Sequence, residues 1–244
     1  MQESDWFESW FGSPYYKILY QNRDEFEAEA FVEKLLDYLQ PLPGSRMADI
    51  ACGEGRYSVQ LAEHGYEVMG IDLSHSSIAK AKAHETEHLH FHVHDMRMPF
   101  YINYFDYAFN FFTSFGYFAH DRDHLLAAKS FAASLRKDGL LVIDYLNTES
   151  TLQSLEPEST IQRGSYTFNI KRKLERGHFV KEISFTDADN KQRHYNESVA
   201  AFTLSDFIKM FKTAGMSLVG TFGNYKLESY NPFESPRMIM VFKK

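Results

Sequence analysis

Arg46-Met-Ala-Asp-Ile-Ala-Cys-Gly-Glu-Gly-Arg56 runs an apolar strand into a turn of small residues, and Ile71-Asp72 ends a second strand 17 residues after Gly55. A helix fits between them. This order cradles the nucleoside end of a cofactor at the carboxyl edge of a parallel sheet. Gly53 and Gly55 predict a backbone that approaches a ligand where any side chain would block it. Asp72 arrives where ribose hydroxyls would lie, and a carboxylate accepts hydrogen bonds from both. Dinucleotide enzymes use G-x-G-x-x-G, with a helix N-terminus that neutralises a pyrophosphate. The spacing here is D-x-A-x-G-x-G, which puts Asp49 in the turn and Glu54 between the glycines. Two carboxylates repel a pyrophosphate. They suit a nucleoside that carries an ammonium and a sulfonium.

Outward from this stretch, strands and helices alternate. Strands are expected at 46–51, 66–71, 89–94, 105–112 and 139–145, with helices at 55–64, 75–84 and 121–136, the pattern of a mostly parallel sheet covered on both faces. Upstream, Trp6, Phe7, Trp10 and Phe11 fall on one face of a short helix, and Tyr15 to Leu39 reads as amphipathic helix until Pro41-Leu42-Pro43-Gly44 ends it. Downstream the period changes to two over 164–172, 177–186 and 193–202, with turns at Arg176-Gly177 and Asp187–Asn190. That reads as a small antiparallel sheet inserted into the α/β unit. Thr203-Leu204-Ser205-Asp206 then opens a helix over 205–214, and strands at 217–222 and 237–243 close the chain. The expected organisation is a helical cap over 1–40, a main domain from 41–150 and 203–244, and an insertion over 151–202.

Bulk properties narrow the possibilities. The chain has 244 residues, 44% hydrophobic and 24% charged, enough for a real core. Aromatic residues reach 16%, including 22 Phe and 15 Tyr, which fits a pocket or lid built from flat rings. A net charge of −7 argues against a nucleic-acid partner, since phosphate binding needs clustered Lys and Arg. No apolar stretch approaches the ~20 residues that span a bilayer. The N-terminal residues, acidic among aromatics, do not read as a signal peptide, and a single cysteine excludes an internal disulfide, so the cytoplasm is the expected compartment.

The motifs together resemble the class I S-adenosylmethionine-dependent methyltransferases over nearly the whole chain. The carriers are Asp49-Ile-Ala-Cys-Gly-Glu-Gly55, Asp72-Leu-Ser74, His94-Asp95-Met96-Arg97, Phe105-Asp-Tyr-Ala-Phe-Asn110 and Leu135-Arg-Lys-Asp-Gly-Leu-Leu141. Asn110-Phe-Phe-Thr-Ser-Phe-Gly-Tyr117 and the inserted strands are similar to small-molecule members, including amino-sugar N-methyltransferases. Ala51 departs from the pattern, because the family more often has glycine there. The implied fold is α/β: a Rossmann-like, doubly wound, seven-stranded, mostly parallel sheet with the last strand antiparallel. The implied cofactor is S-adenosylmethionine, and the implied partner is a small-molecule amine or hydroxyl, acting as monomer or homodimer.

Carried over by position, the resemblance implies that Ala51, Cys52, Gly53 and Gly55 pass under the methionine moiety and that Asp72, with Leu73 beside it, holds the ribose. Asp95 and the Met96 backbone would meet the adenine, Asn110 and Phe111 would line the place where the methyl leaves, and Arg23 would pair with the cofactor carboxylate. Should the acceptor need deprotonation, Tyr117, His120 and Tyr16 are the candidate bases, with Asp121 and Tyr20 nearby. Arg237 could face an anionic or hydroxylated substrate. A protein or RNA methyltransferase would need a basic rim, and a non-catalytic cofactor-binding module would use the inserted sheet as an interface.

Two clusters read better as structure than as chemistry. His88, His90, His92 and His94 alternate along one strand face, and ligands in a line do not close a tetrahedral metal site, so no metal is expected. Cys52 has no histidine near it in sequence, and its slot calls for a small packing residue.

Overall fold

Strand β1 (Arg46–Ile50) forms the middle of the fold because every residue after Arg46 is buried. The computed structural model describes residues 6–20 and 25–244. Strand β1 is followed by α4 (Arg56–Glu63), β2 (Glu67–Asp72), α5 (His75–Ala81) and β3 (Leu89–Val93), then β4 (Phe105–Asn110), α6 (Asp121–Ser134) and β5 (Leu135–Leu146). These strands pair in parallel, and β11 (Arg237–Lys243) inserts antiparallel between β5 and β10 (Ser217–Phe222). The seven-stranded order is β10-β11-β5-β4-β1-β2-β3, so the direction of winding reverses between β1 and β4. Loops leaving two neighbouring strands in opposite directions open a crevice there. The described chain thus has the doubly wound α/β sheet with an antiparallel last strand.

Two apolar layers cover this sheet. Phe105, Phe131 and Tyr145 pack beneath α6 and α8 (Leu204–Thr213), together with Phe207 and Phe211. On the other face, Phe31 and Leu35 of α3 (Glu25–Leu39) meet Leu61 of α4, Ile78 of α5 and Phe109. Helix α8 begins as its sequence predicts, with Thr203 and Asp206 forming a reciprocal capping box.

A second sheet, ordered β6-β7-β8-β9, rises after α7 (Thr148–Gln153). Its strands are β6 (Glu158–Arg163), β7 (Tyr166–Glu175), β8 (His178–Thr186) and β9 (Gln192–Ala200). Its inner face buries Phe168, Ile170, Ile183 and Phe185 against Trp10 of α1 (Trp6–Phe11) and Leu19 of α2 (Pro14–Leu19). Cap and insertion therefore share one core. A β9 amide ties them to the main unit, Ala200 N donating to Gly116 O at 2.8 Å. Among the described residues, no helix is long and apolar enough to cross a membrane.

Several element limits differ from those the sequence predicts, for identifiable reasons. The insertion has four strands rather than three; β6 reads Glu-Ser-Thr-Ile-Gln-Arg, too polar to signal a strand. Strand β4 stops at Asn110 because Phe112 and Thr113 take φ of +57° and +59°, which no strand accommodates. Helix α6 stops at Ser134 because Leu135 pairs with Phe105. Asp49 is not in the turn: it is the fourth residue of β1 and is buried.

Gly55 also has a different reason for being glycine. It caps α4 at φ +86°, and a Cβ on it would stand 2.5 Å from the Phe91 ring of β3. It lets the turn seat on the core, not on a ligand. Gly55→Ala should cost about 2–4 kcal/mol from left-handed strain and overpacking, read from urea unfolding. Pairing it with Phe91→Leu should cost less than the sum of the single changes, because the two sites touch. Strictly additive losses would contradict the clash.

Candidate active site

The crevice between β1 and β4 opens into a cavity of about 640 Å³, within the range of small-molecule sites. One end is made by the turn after β1. Ala51 holds φ of +62° and Gly53 φ of +60°, a kinked path that exposes the backbone. A Cβ on Gly53 would meet no atom within 4 Å, so its place is open space on the cavity wall.

Asp72, the last residue of β2, fixes this turn. Its Oδ2 accepts from Gly53 N at 2.9 Å and its Oδ1 from Ser74 N at 2.8 Å. Burial pushes its carboxyl above the usual range, against the hydrogen bonds from Ser74, Gly53 and Leu73. Each oxygen keeps acceptor capacity toward the cavity. Ser74 caps α5 by accepting from Ser77 N, so Asp72 is not needed for that. Asp49 sits beneath, its Oδ2 accepting from Ser58 Oγ at 2.6 Å, and burial pushes its carboxyl up to about 7. Glu54 is neutralised: Lys17 and Lys80 both pair with its Oε1. Burial raises its carboxyl, but the two lysines outweigh that and hold it below its ordinary range. The negative charge at this end is thus carried by Asp72, since Asp49 holds its proton up to about 7 and Glu54 is paired.

The floor comes from the loop after β4. Phe111 lies against Tyr57 with ring centroids 4.3 Å apart. The left-handed pair Phe112 and Thr113 is held by Asp144, fully buried on β5. Asp144 Oδ2 accepts from Phe112 N at 2.8 Å, and Asp144 O accepts from Thr113 N at 2.8 Å. Arg237 donates from Nε to Asp144 Oδ1 at 2.7 Å and from a terminal nitrogen to Thr113 Oγ1 at 3.0 Å. Arg237 lines the cavity, but its charge is spent on Asp144. Sequence reasoning gave Arg237 to substrate and missed this pairing, since nothing local links positions 144 and 237.

The far end is walled by Trp6, Phe11, Tyr16 and Tyr20 of the cap, Tyr117 of the loop after β4, and Glu197 of the inserted sheet. Tyr117 donates its phenol proton to Thr113 O. Cys52 lines the cavity near the turn, and burial pushes its thiol well above its usual range, so it is no nucleophile.

The sequence candidates divide accordingly. Asp49, Ala51, Cys52, Gly53, Asp72, Phe111, Tyr16 and Tyr117 line one cavity. Gly55, Leu73, Asp95, Met96, Asn110 and His120 do not. Asn110 is buried, donating from Nδ2 to Ile50 O at 2.9 Å. His120 is the exposed residue preceding α6 and caps it with no side-chain bond. Both Asp95 oxygens are taken by Arg97, whose side chain reaches Oδ2 at 2.6 Å. Arg23 lies outside the described residues. Among the described residues no group of three His, Cys, Asp or Glu side chains could hold a metal; His88 pairs with Glu67, and His92 and His94 lie against Phe100.

Residues 47–139, which contain the turn, Asp72 and the strained loop, match the family described as the methyltransferase domain. The chain is 33% identical over 118 residues to the YqeM protein of Bacillus subtilis (strain 168), and the match spans about half of each chain, 47%. Its fold is similar to an S-adenosylmethionine-dependent methyltransferase from Clostridium acetobutylicum, with a TM-score of 0.78, 16% identity, and 94% of this chain and 95% of that one covered. It is also similar to CalS10, an amino pentose methyltransferase from Micromonospora echinaspora solved with S-adenosylmethionine bound, with a TM-score of 0.71, 16% identity, and coverage of 95% and 97%.

Two predictions follow from the buried carboxylates. The native state holds a proton on Asp49 that the unfolded chain releases near 3.8. The stability this lends is complete below that value and is lost as pH rises through about 7. His124 acts in reverse: burial lowers it to about 4 from 6.5, so its contribution is present above 6.5 and lost as pH falls through about 4. Between about pH 5 and 8, wild type should therefore lose urea stability relative to Asp49→Asn; parallel curves would refute the shift. Asp144→Ala leaves Arg237 buried without its partner and should cost about 3–5 kcal/mol, measured the same way. A loss below about 1 kcal/mol would mean the pair does not hold the loop.

Proposed function

We propose that the protein is an S-adenosylmethionine-dependent methyltransferase acting on a small molecule. The observation that carries this is Asp72, which fixes the glycine turn through Gly53 N and turns its remaining acceptor capacity into the same cavity. The residues fit the cofactor: the open space beside Gly53 admits a flat or extended group, and Asp72 accepts from two ribose hydroxyls. Asp72 offsets positive charge on the ligand, while Asp49, which holds its proton up to about 7, contributes a polar wall. Ribose, not adenine, is the anchored part, since Asp95 is tied to Arg97.

When bound, S-adenosylmethionine supplies a methyl on a positive sulfur, so an acceptor lone pair displaces a neutral sulfide in line and no protein nucleophile is needed. The chain's task is placement, which can supply ~7–11 kcal/mol of the barrier. Phe111 and Tyr57 form a rigid floor under the transfer point. The cap aromatics exclude water and hold the acceptor above it. A net charge of −7 and an aromatic-lined cavity of about 640 Å³ suit a small molecule better than a polyanion.

Calorimetry with S-adenosylmethionine, S-adenosylhomocysteine and NAD checks the reading. The first two should bind and NAD should not. Asp72→Ala should weaken S-adenosylhomocysteine binding by ~1–3 kcal/mol, since it leaves ribose hydroxyls without an acceptor. NAD binding alone, or an unchanged Asp72→Ala titration, would remove the assignment.

A further inference from the structure

We infer that Arg56 and Tyr57, the first two residues of α4, form a carboxylate-binding site on the cavity wall, an inference that rests on the methyltransferase reading above for the source of the carboxylate. Both side chains line the cavity. Among the described residues three cations do so, and two are already paired, Lys17 with Glu54 and Arg237 with Asp144. Arg56 has no ion pair with any described residue, and its N–H groups meet no acceptor there. Its guanidinium carbon lies over the Tyr57 ring, 4.7 Å from the centroid. Such stacking covers the face of a guanidinium and leaves its in-plane donors open, the fork that fits a carboxylate.

Tyr57 supplies a second donor. It is only 7% exposed, and its Oη has no hydrogen-bond partner among the described residues. Burial pushes its phenol up to about 12, so the proton stays on and remains available to an acceptor. A buried hydroxyl without a partner is unfavourable unless something else meets it. The same end of α4 opens on Gly55 without a side-chain cap, and its dipole adds to the attraction for an anion.

The surrounding charge limits the anion to a single one. Asp72 keeps its negative charge open at the same wall, and a dianion such as phosphate would meet twice the repulsion that a carboxylate meets. The other exposed acids of the wall are matched within the chain, Glu54 by its two lysines and Glu197 by Lys181. A carboxylate can reach Arg56 from two sources. One is the amino-acid end of the cofactor, because the turn beneath it leads directly into α4. The other is an acid group on the acceptor, because Tyr57 and Phe111 lie under the transfer point with ring centroids 4.3 Å apart.

S-adenosylhomocysteine and methylthioadenosine share a nucleoside thioether, and only the first has a carboxylate. Benzoate and benzamide differ in the same way without a nucleoside. Each pair is titrated by calorimetry into wild type, Arg56→Gln and Tyr57→Phe, the second pair with S-adenosylhomocysteine saturating. If the carboxylate is the cofactor's, Arg56→Gln should bind S-adenosylhomocysteine about ten-fold more weakly and Tyr57→Phe about three-fold, while methylthioadenosine binds all three proteins alike. If it is the acceptor's, the nucleosides should not separate the proteins, and wild type should prefer benzoate to benzamide about ten-fold, a preference both variants reduce. Variants that shift neither pair would overturn the proposal. Methylthioadenosine binding certifies the fold of each variant, and Tyr57→Phe, which keeps the ring, decides should Arg56→Gln not fold. Wild type that binds neither nucleoside would instead strike the methyltransferase reading, and benzoate against benzamide on the nucleoside-free proteins would then decide the site.

Discussion

Asp144 is the constraint on which the site depends. It is buried near the carboxyl end of β5, and its oxygens reach three segments: Arg237 on the last strand, Tyr225 before it, and the amide of Phe112 after the fourth. An isolated buried carboxylate would be strongly unfavourable, and Arg237 makes this one tenable. In return the pair holds two successive non-glycine residues in left-handed backbone, where each costs of order 1–3 kcal/mol. Without that hold the chain after β4 would run on extended, and Phe111 would lose its fixed place beside Tyr57. The antiparallel last strand matters because it delivers Arg237 to Asp144.

The other wall follows the same logic with the roles of strand and loop exchanged. Here the acid at the end of β2 reaches across to the turn after β1 and fixes Gly53. Two neighbouring loops, each pinned by a carboxylate from an adjacent strand, face each other where the winding reverses. A ligand entering the crevice finds its contacts already in place, so little ordering cost is charged against binding.

How much of this could be read from the sequence depends on whether the cause is local. The alternation of strands and helices, the glycine turn and the acid ending β2 are patterns within 30 residues, and the sheet follows from them. Roles set by distant contacts were not legible. Gly55 looked like a ligand-facing glycine, but its missing Cβ makes room for Phe91, 36 positions on. Glu54 looked like free charge, but Lys17 arrives from the cap. His120 looked catalytic beside Tyr117, yet the helix start turns it to solvent. Glu197 had a readable signal that went unused: it falls in step with Tyr195 and Val199, an acid on the inward face of a two-periodic strand.

The acids that pin the two facing loops are satisfied in different ways. Asp72 is held by backbone donors, from Gly53 and Ser74, and keeps acceptor capacity toward the cavity. Asp144 spends its charge on Arg237 and its remaining oxygen on the Phe112 amide. A carboxylate satisfied by neutral amides stays negative toward whatever enters, whereas one paired with a guanidinium presents no net charge. The crevice is therefore electrostatically one-sided: its glycine turn carries the open charge, and its aromatic floor is held by a pair that has cancelled its own.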